Sequence, residues 1–86
     1  MDYESVIRSF VEPLLEDKDS LVIRQLPSDS EKDVTFLVCA DNEDIARLIG
    51  KKGSIANAIR EVVGVAGKVE NKHIHIKFES FGDEEA

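Results

Sequence analysis

Hydrophobic residues recur along this chain with two periods, and the switches between them mark its elements. Tyr3, Val6, Ile7, Phe10, Val11, Leu14 and Leu15 fall three and four apart with polar residues between them, the stripe of an amphipathic helix. Pro13 has no backbone N–H and crowds the preceding turn, so that helix is expected to kink or stop near Glu12 and restart briefly. Beyond a polar connection at 16–19, residues 21–26 are rich in β-branched and apolar residues and halt at Pro27, which reads as a strand. A polar loop at 28–33 leads to a second strand, with Val34, Phe36, Val38 and Ala40 on one face and Thr35, Leu37 and Cys39 on the other. The two strands are expected to form a hairpin.

Asp41, Asn42, Glu43 and Asp44 then signal a helix start, with Asp41 or Asn42 as the cap and carboxylates in the first turn complementing the helix dipole. This helix reaches Ile49. The next is expected to be capped by Ser54, to bury Ile55, Ile59, Val62 and Val63, and to end at Gly64 and Gly67. Asn57 and Arg60 fall off that buried face. Residues 68–72 connect to a third strand over 73–79, where Ile74, Ile76 and Phe78 alternate with His73, His75 and Lys77. Helix, strand, strand, helix, loop, helix, strand is an α+β order in which three helices cover one face of a three-stranded sheet.

Between the second and third helices lies Leu48-Ile49-Gly50-Lys51-Lys52-Gly53-Ser54-Ile55. Two glycines let the backbone turn sharply and approach a ligand, while two adjacent ammonium groups supply charge for an anion. The stretch reads as a phosphate-facing loop.

Charge sharpens that reading. The 86 residues carry a net charge of -7, which by itself argues against a polyanionic partner. Distribution reverses the inference, because residues 1–44 hold twelve acids against four bases while residues 45–77 hold seven bases against two acids. The loop sits in the basic segment. At 42% hydrophobic and 34% charged residues the chain has the balance of a globular domain, too short for a deep cleft between subdomains. Residues 1–80 are expected to form that domain, with 81–86 an acidic, frayed tail. The acidic start lacks an apolar run, no window approaches membrane-spanning length, and one cysteine excludes an internal disulfide, so a soluble cytoplasmic domain is expected.

Other chemistries fit the residues less well. A Walker-type nucleotide loop needs wider glycine spacing and a Gly-Lys-Ser/Thr ending, which residues 50–54 lack. His73 and His75 share a strand face and could begin a metal site, but no third ligand is evident; surface histidines and no metal are expected. Cys39, late in an apolar strand without a basic neighbour, reads as inert packing. No nucleophile is arranged with a base, so no catalytic residues, cofactor or small-molecule substrate are expected.

Ile49-Gly50-Lys51-Lys52-Gly53 between apolar helices resembles the GXXG signature of a KH domain, and the element order is that of the type II, bacterial arrangement. With Ala58-Ile59-Arg60 following and the domain nearly filling the chain, the sequence is similar to the KhpA family of small bacterial RNA-binding proteins. The resemblance implies binding of single-stranded RNA, with the loop clamping about four nucleotides. Gly50 and Gly53 would admit the phosphates, Lys51 and Lys52 would contact them, and Ser54 would open a helix whose amides favour an anion. Bases would lie over a groove of Ile45, Leu48 and Ile49 on one side and Ile55 and Ala56 on the other, floored by the second strand, with Arg47 and Arg60 as flanking cations. Family members carry a branched apolar residue three after the second glycine, where this chain has Ala56. No aromatic residue adjoins the loop in sequence, so binding is expected to be weak and modestly selective. The resemblance further implies post-transcriptional regulation or RNA chaperoning, a homodimer or a complex with a KhpB (Jag)-like KH protein, and control of cell elongation and division. The alternative is an interaction module with little RNA binding, its dimer contact near Ala56, Ala58 and Val65.

Overall fold

The structure, a computed structural model, describes residues 2–81. Helix α1 (Tyr3–Val11) starts where the Asp2 carboxylate accepts hydrogen bonds from the Ser5 N–H and hydroxyl, at 3.2 and 2.8 Å. It ends as Pro13 demands: the next residues, Glu12–Leu14, form a single 3-10 turn with the proline in its first positions. Tyr3, Ile7, Val11 and Leu15 are the buried line, four apart, whereas Phe10 and Leu14, expected on the stripe, lie at its margin about 40% exposed. A second 3-10 turn, Lys18–Ser20, occupies the polar connection.

Strand β1 (Val22–Leu26) pairs antiparallel with β2 (Asp33–Ala40), giving the expected hairpin. Its turn is tied by serines, with Ser30 N–H donating to the Ser28 hydroxyl and Lys32 N–H to the Ser30 hydroxyl. Strand β3 (His73–Ser80) lies parallel to β2 in the register Asp33↔His73 to Ala40↔Ser80, so β2 is central and β1 and β3 are the edges. Every second residue of β2, Val34 to Ala40, is buried under the helices, as the alternation predicts. Among the described residues no helix covers the opposite face, which holds Arg24, Leu37, Cys39, His75 and Lys77.

Between β2 and β3 run α2 (Asn42–Ile49) and α3 (Ser54–Val69). The expected stop at Gly64 and Gly67 is wrong: α3 continues through both to Val69. Gly67 is there for closeness, since a Cβ on it would lie 2.5 Å from Ile74 Cγ1 and 2.9 Å from the Lys72 carbonyl oxygen. Its absence lets α3 settle against β3. The buried line of α3 is Ala56, Ile59, Val63 and Gly67, and Val62, expected inside, is 50% exposed.

Two polar clasps fix the helices. The Tyr3 hydroxyl donates to the Glu70 carboxylate, tying the start of α1 to the end of α3; this pushes the phenol up to about 12 and holds the carboxyl below its ordinary value. Asp44, in the first turn of α2, is buried with its carboxylate accepting from the Glu16 and Asp17 N–H groups at 3.1 and 3.2 Å and from Arg47 at 2.7 Å. The Glu16 N–H above all, with Asp17 and Arg47 adding to it, keeps this carboxyl depressed despite burial. The acidic tail expected from residue 81 falls, apart from Phe81, outside the described residues.

Candidate nucleic-acid interface

The loop begins where α2 runs out. Gly50 closes the helix, its N–H donating to the Ala46 carbonyl at 3.0 Å, and turns the chain at φ 72°, ψ -171°, a conformation reserved to glycine. Sterics demand glycine as well, because a Cβ there would stand 2.7 Å from Cγ1 of Ile55. Lys52 and Gly53 follow with left-handed backbones, φ 57° and 78°, around one 3-10 turn in which Gly53 N–H reaches the Gly50 carbonyl at 3.4 Å. Lys52 holds that conformation without the freedom of glycine, at a cost of roughly 1–2 kcal/mol. Three positive φ values in four residues throw both lysine side chains outward. They are exposed, and among the described residues neither has an ion-pair partner.

Helix α3 starts on the loop itself. Gly53 is its cap, and Ser54, expected in that role, already has helical backbone angles and makes no side-chain capping bond. The first turn of this 16-residue helix therefore presents main-chain amides and the positive end of the dipole beside the two ammonium groups.

The expected groove residues divide. Ile45, Leu48 and Ala56 are 6%, 0% and 2% exposed, so they support the loop from the core instead of lining an open groove. Ile49 is exposed and Ile55 is half-buried over Gly50, and these two form the apolar surface beside the lysines. The absence of a branched residue at Ala56 is thereby explained: the position is interior, and Ile55 supplies the apolar contact. Arg47 is not available as expected, for its guanidinium bridges Asp44 at 2.7 Å and Glu16 at 3.1 Å.

Arg60 lies farther along α3 on the ridge Gly53, Asn57, Arg60. Its Nε–H donates to the Ile76 carbonyl at 3.1 Å, its Nη1 to Asn57 Oδ1 at 3.0 Å, and the guanidinium sits 5.3 Å from the centroid of the Phe78 ring. The strand meeting this ridge is β3, at the sheet edge, where β2 was expected as the floor. Phe78, Asn57 and Asp44 are the residues that sequence reasoning passed over. The first two are joined to Arg60 only by folding, and Asp44 acts on main-chain groups 27 and 28 positions away.

A profile of the KhpA/KhpB KH-domain family matches residues 4–78. The chain belongs to that family. This KH domain is 35% identical over 74 residues to the RNA-binding protein KhpA of Listeria monocytogenes and equally to that of Listeria innocua, covering 86% of this chain and 95% of either relative. The RNA-binding protein KhpA of Oceanobacillus iheyensis is 32% identical over 73 residues, covering 85% and 95%. The type II KH order accounts for the observed sheet, in which β2, α2, the Gly-Lys-Lys-Gly loop, α3 and β3 form one continuous unit. No helix among the described residues is long and apolar enough to cross a membrane, and no cluster among them could hold a metal ion.

Proposed function

We propose that this KH domain binds single-stranded RNA, its backbone running over Lys51, Lys52 and the first turn of α3. The observation that carries the reading is the pair of exposed lysines without ion-pair partners, projected from a strained turn at the start of a long helix. Relatives named as RNA-binding proteins support it. Gly50 and Gly53 admit phosphates at the main chain, and Ile49 and Ile55 offer an apolar bed for a neighbouring base. Within this reading the domain acts in the cytoplasm as a post-transcriptional regulator or RNA chaperone, and with a KhpB-like KH partner in control of cell elongation and division. The test is K51D/K52D, with circular dichroism to verify the fold. Affinity for single-stranded RNA is expected to fall at least about tenfold; binding equal to the parent's would refute the clamp.

A second reading, self-association, is favoured by one observation. Val62, Val65 and Val69 form an exposed stripe on α3, 50%, 62% and 80% accessible, with Ala58 a turn before them. Ala56, expected near this contact, is interior at 2% exposure and takes no part. Sedimentation over a concentration series is expected to reveal a homodimer joined through this stripe, compatible with an RNA site at the other side of the loop. Monomers alone at high concentration would remove the idea.

A further inference from the structure

We propose that Asp44 is a positioning residue for the RNA loop: by clasping the main-chain N–H groups of Glu16 and Asp17 it sets the angle of α2, and with it the place of Lys51 and Lys52. This rests on the reading of the loop as a backbone clamp and adds to it what holds the clamp in place.

Three observations carry the assignment. The first is where the carboxylate is spent. Asp44 is the third residue of α2, a position from which a carboxylate ordinarily reaches back to the cap of its own helix. Here its oxygens accept instead from another segment, Oδ1 from the Glu16 N–H at 3.1 Å and Oδ2 from the Asp17 N–H at 3.2 Å. Asp41, Asn42 and Glu43 stand exposed beside it and are enough to start a helix. Asp44 alone is taken inside: among the described residues it is the only buried carboxylate, at 2% exposure. Burying a charge is costly unless it is fully bonded, so the link it makes is the reason for its place.

The second is the form of the link. Two oxygens on two successive N–H groups fix the plane of the carboxylate, where a single bond would leave a pivot. Arg47, one turn farther along α2, doubles the tie, with Nη1 donating to Asp44 Oδ1 at 2.7 Å and Nη2 meeting Glu16 Oε2 at 3.1 Å. Two successive turns of α2 are thereby fastened to one short stretch of main chain. Ile45 and Leu48 press the helix onto the core, but apolar attraction is non-directional, and the polar ties set the angle.

The third is leverage. Gly50 stands six residues beyond Asp44, about 9 Å along the helix axis, so a swing of roughly 10° carries the loop about 1.5 Å. Hydrogen bonds to a phosphate tolerate less than that. The loop has little freedom to correct the error, since Gly50, Lys52 and Gly53 all hold positive φ, and strained residues persist only where their surroundings fix them. Ile55, packed against Gly50, fixes the loop from α3. Asp44 fixes it from α2.

Fluorescence anisotropy of a labelled single-stranded oligouridylate with the full chain tests this. D44N keeps the side-chain shape but sets an amide donor against one of the two N–H groups, and it is expected to lower the affinity of the folded protein about tenfold. The sign is diagnostic: removing a negative charge near a polyanion by itself tightens binding, so a loss comes from geometry. Without RNA, D44N should also shift the amide NMR signals of Gly50, Lys51, Lys52 and Gly53. Gly67→Ala, at the far end of α3, is the control for lost stability and should leave both the affinity and those signals as in the parent. R47K, at an exposed site, keeps the cation but loses the planar fork; a loss of about threefold is expected, and it decides the matter should D44N fail to fold. Folded D44N that binds as tightly as the parent, or no more weakly than Gly67→Ala, overturns the assignment, as does R47K at the parent's affinity where D44N does not fold. If K51D/K52D binds like the parent, the clamp reading fails and this assignment with it; if K51D/K52D loses binding while D44N and R47K keep it, the assignment alone fails.

Discussion

In the loop leading into α3 stands Gly50, where a Cβ would strike Ile55 at 2.7 Å; near its last turn α3 carries Gly67, where a Cβ would strike Ile74 at 2.5 Å. Each end also holds one non-glycine residue in the left-handed region, Lys52 at φ 57° and Asn71 at φ 62°. The polar groups are finished in opposite ways. At the C-terminal end Tyr3 donates to Glu70, Lys72 Nζ donates to the Glu31 carbonyl at 3.3 Å, and Lys72 N–H donates to the Gly67 carbonyl at 2.8 Å. At the N-terminal end Lys51 and Lys52 project with no ion-pair partner among the described residues. Similar backbone devices thus build a polar-clasped joint at one end and an open, charged one at the other.

Alanine at the two glycines breaks this comparison most directly. Gly50→Ala adds a glycine-only backbone conformation to a steric clash and should destabilise the domain by about 3 kcal/mol, read from denaturant midpoints, and weaken RNA binding by distorting the loop. Gly67→Ala should cost about 2 kcal/mol through overpacking against Ile74 and the Lys72 carbonyl, while the folded fraction keeps its RNA affinity. If Gly67→Ala weakens RNA binding as much as Gly50→Ala does, the two ends are not functionally distinct.

The smaller effect concerns the closed end and pH. Tyr3 has its proton held to about 12 against an ordinary value of 10.0, so its contribution is complete below pH 10 and is lost as pH rises toward 12. Glu70 is depressed by the same hydrogen bond, and Asp44 by the Glu16 N–H first; their contributions are present above the ordinary carboxylate values and disappear as pH falls below about 4. Tyr3→Phe should flatten the alkaline limb and soften the acid limb, which Asp44 then dominates. An unchanged alkaline limb would show that the clasp contributes nothing.

Most elements were legible because their signals are local. Alternation in residues 34–40 and 73–79 marked β2 and β3, Pro13 marked the end of α1, and the glycine pair marked the loop. Gly64 and Gly67 were misread because glycine serves two purposes that look alike in sequence: a left-handed turn, as at Gly53, and room for a neighbour, as at Gly67. The site was half legible for a similar reason. Lysine exposure follows from the loop, but whether a cation is spent on a neighbour depends on residues brought near by folding. Arg47 is held by Glu16, and Arg60 is aligned by Ile76 and Phe78, contacts that no spacing along the chain announces.

The proposed grip of Lys51 and Lys52 on phosphates, at the open end of α3, is measured by the salt dependence of RNA binding. Each phosphate contact on a single strand contributes about 0.7 to the slope of log K against log salt concentration. Removing both side chains in K51A/K52A, with the fold intact by circular dichroism, should make that slope shallower by about 1.4 and lower the affinity. A slope and affinity indistinguishable from the parent's would contradict the account.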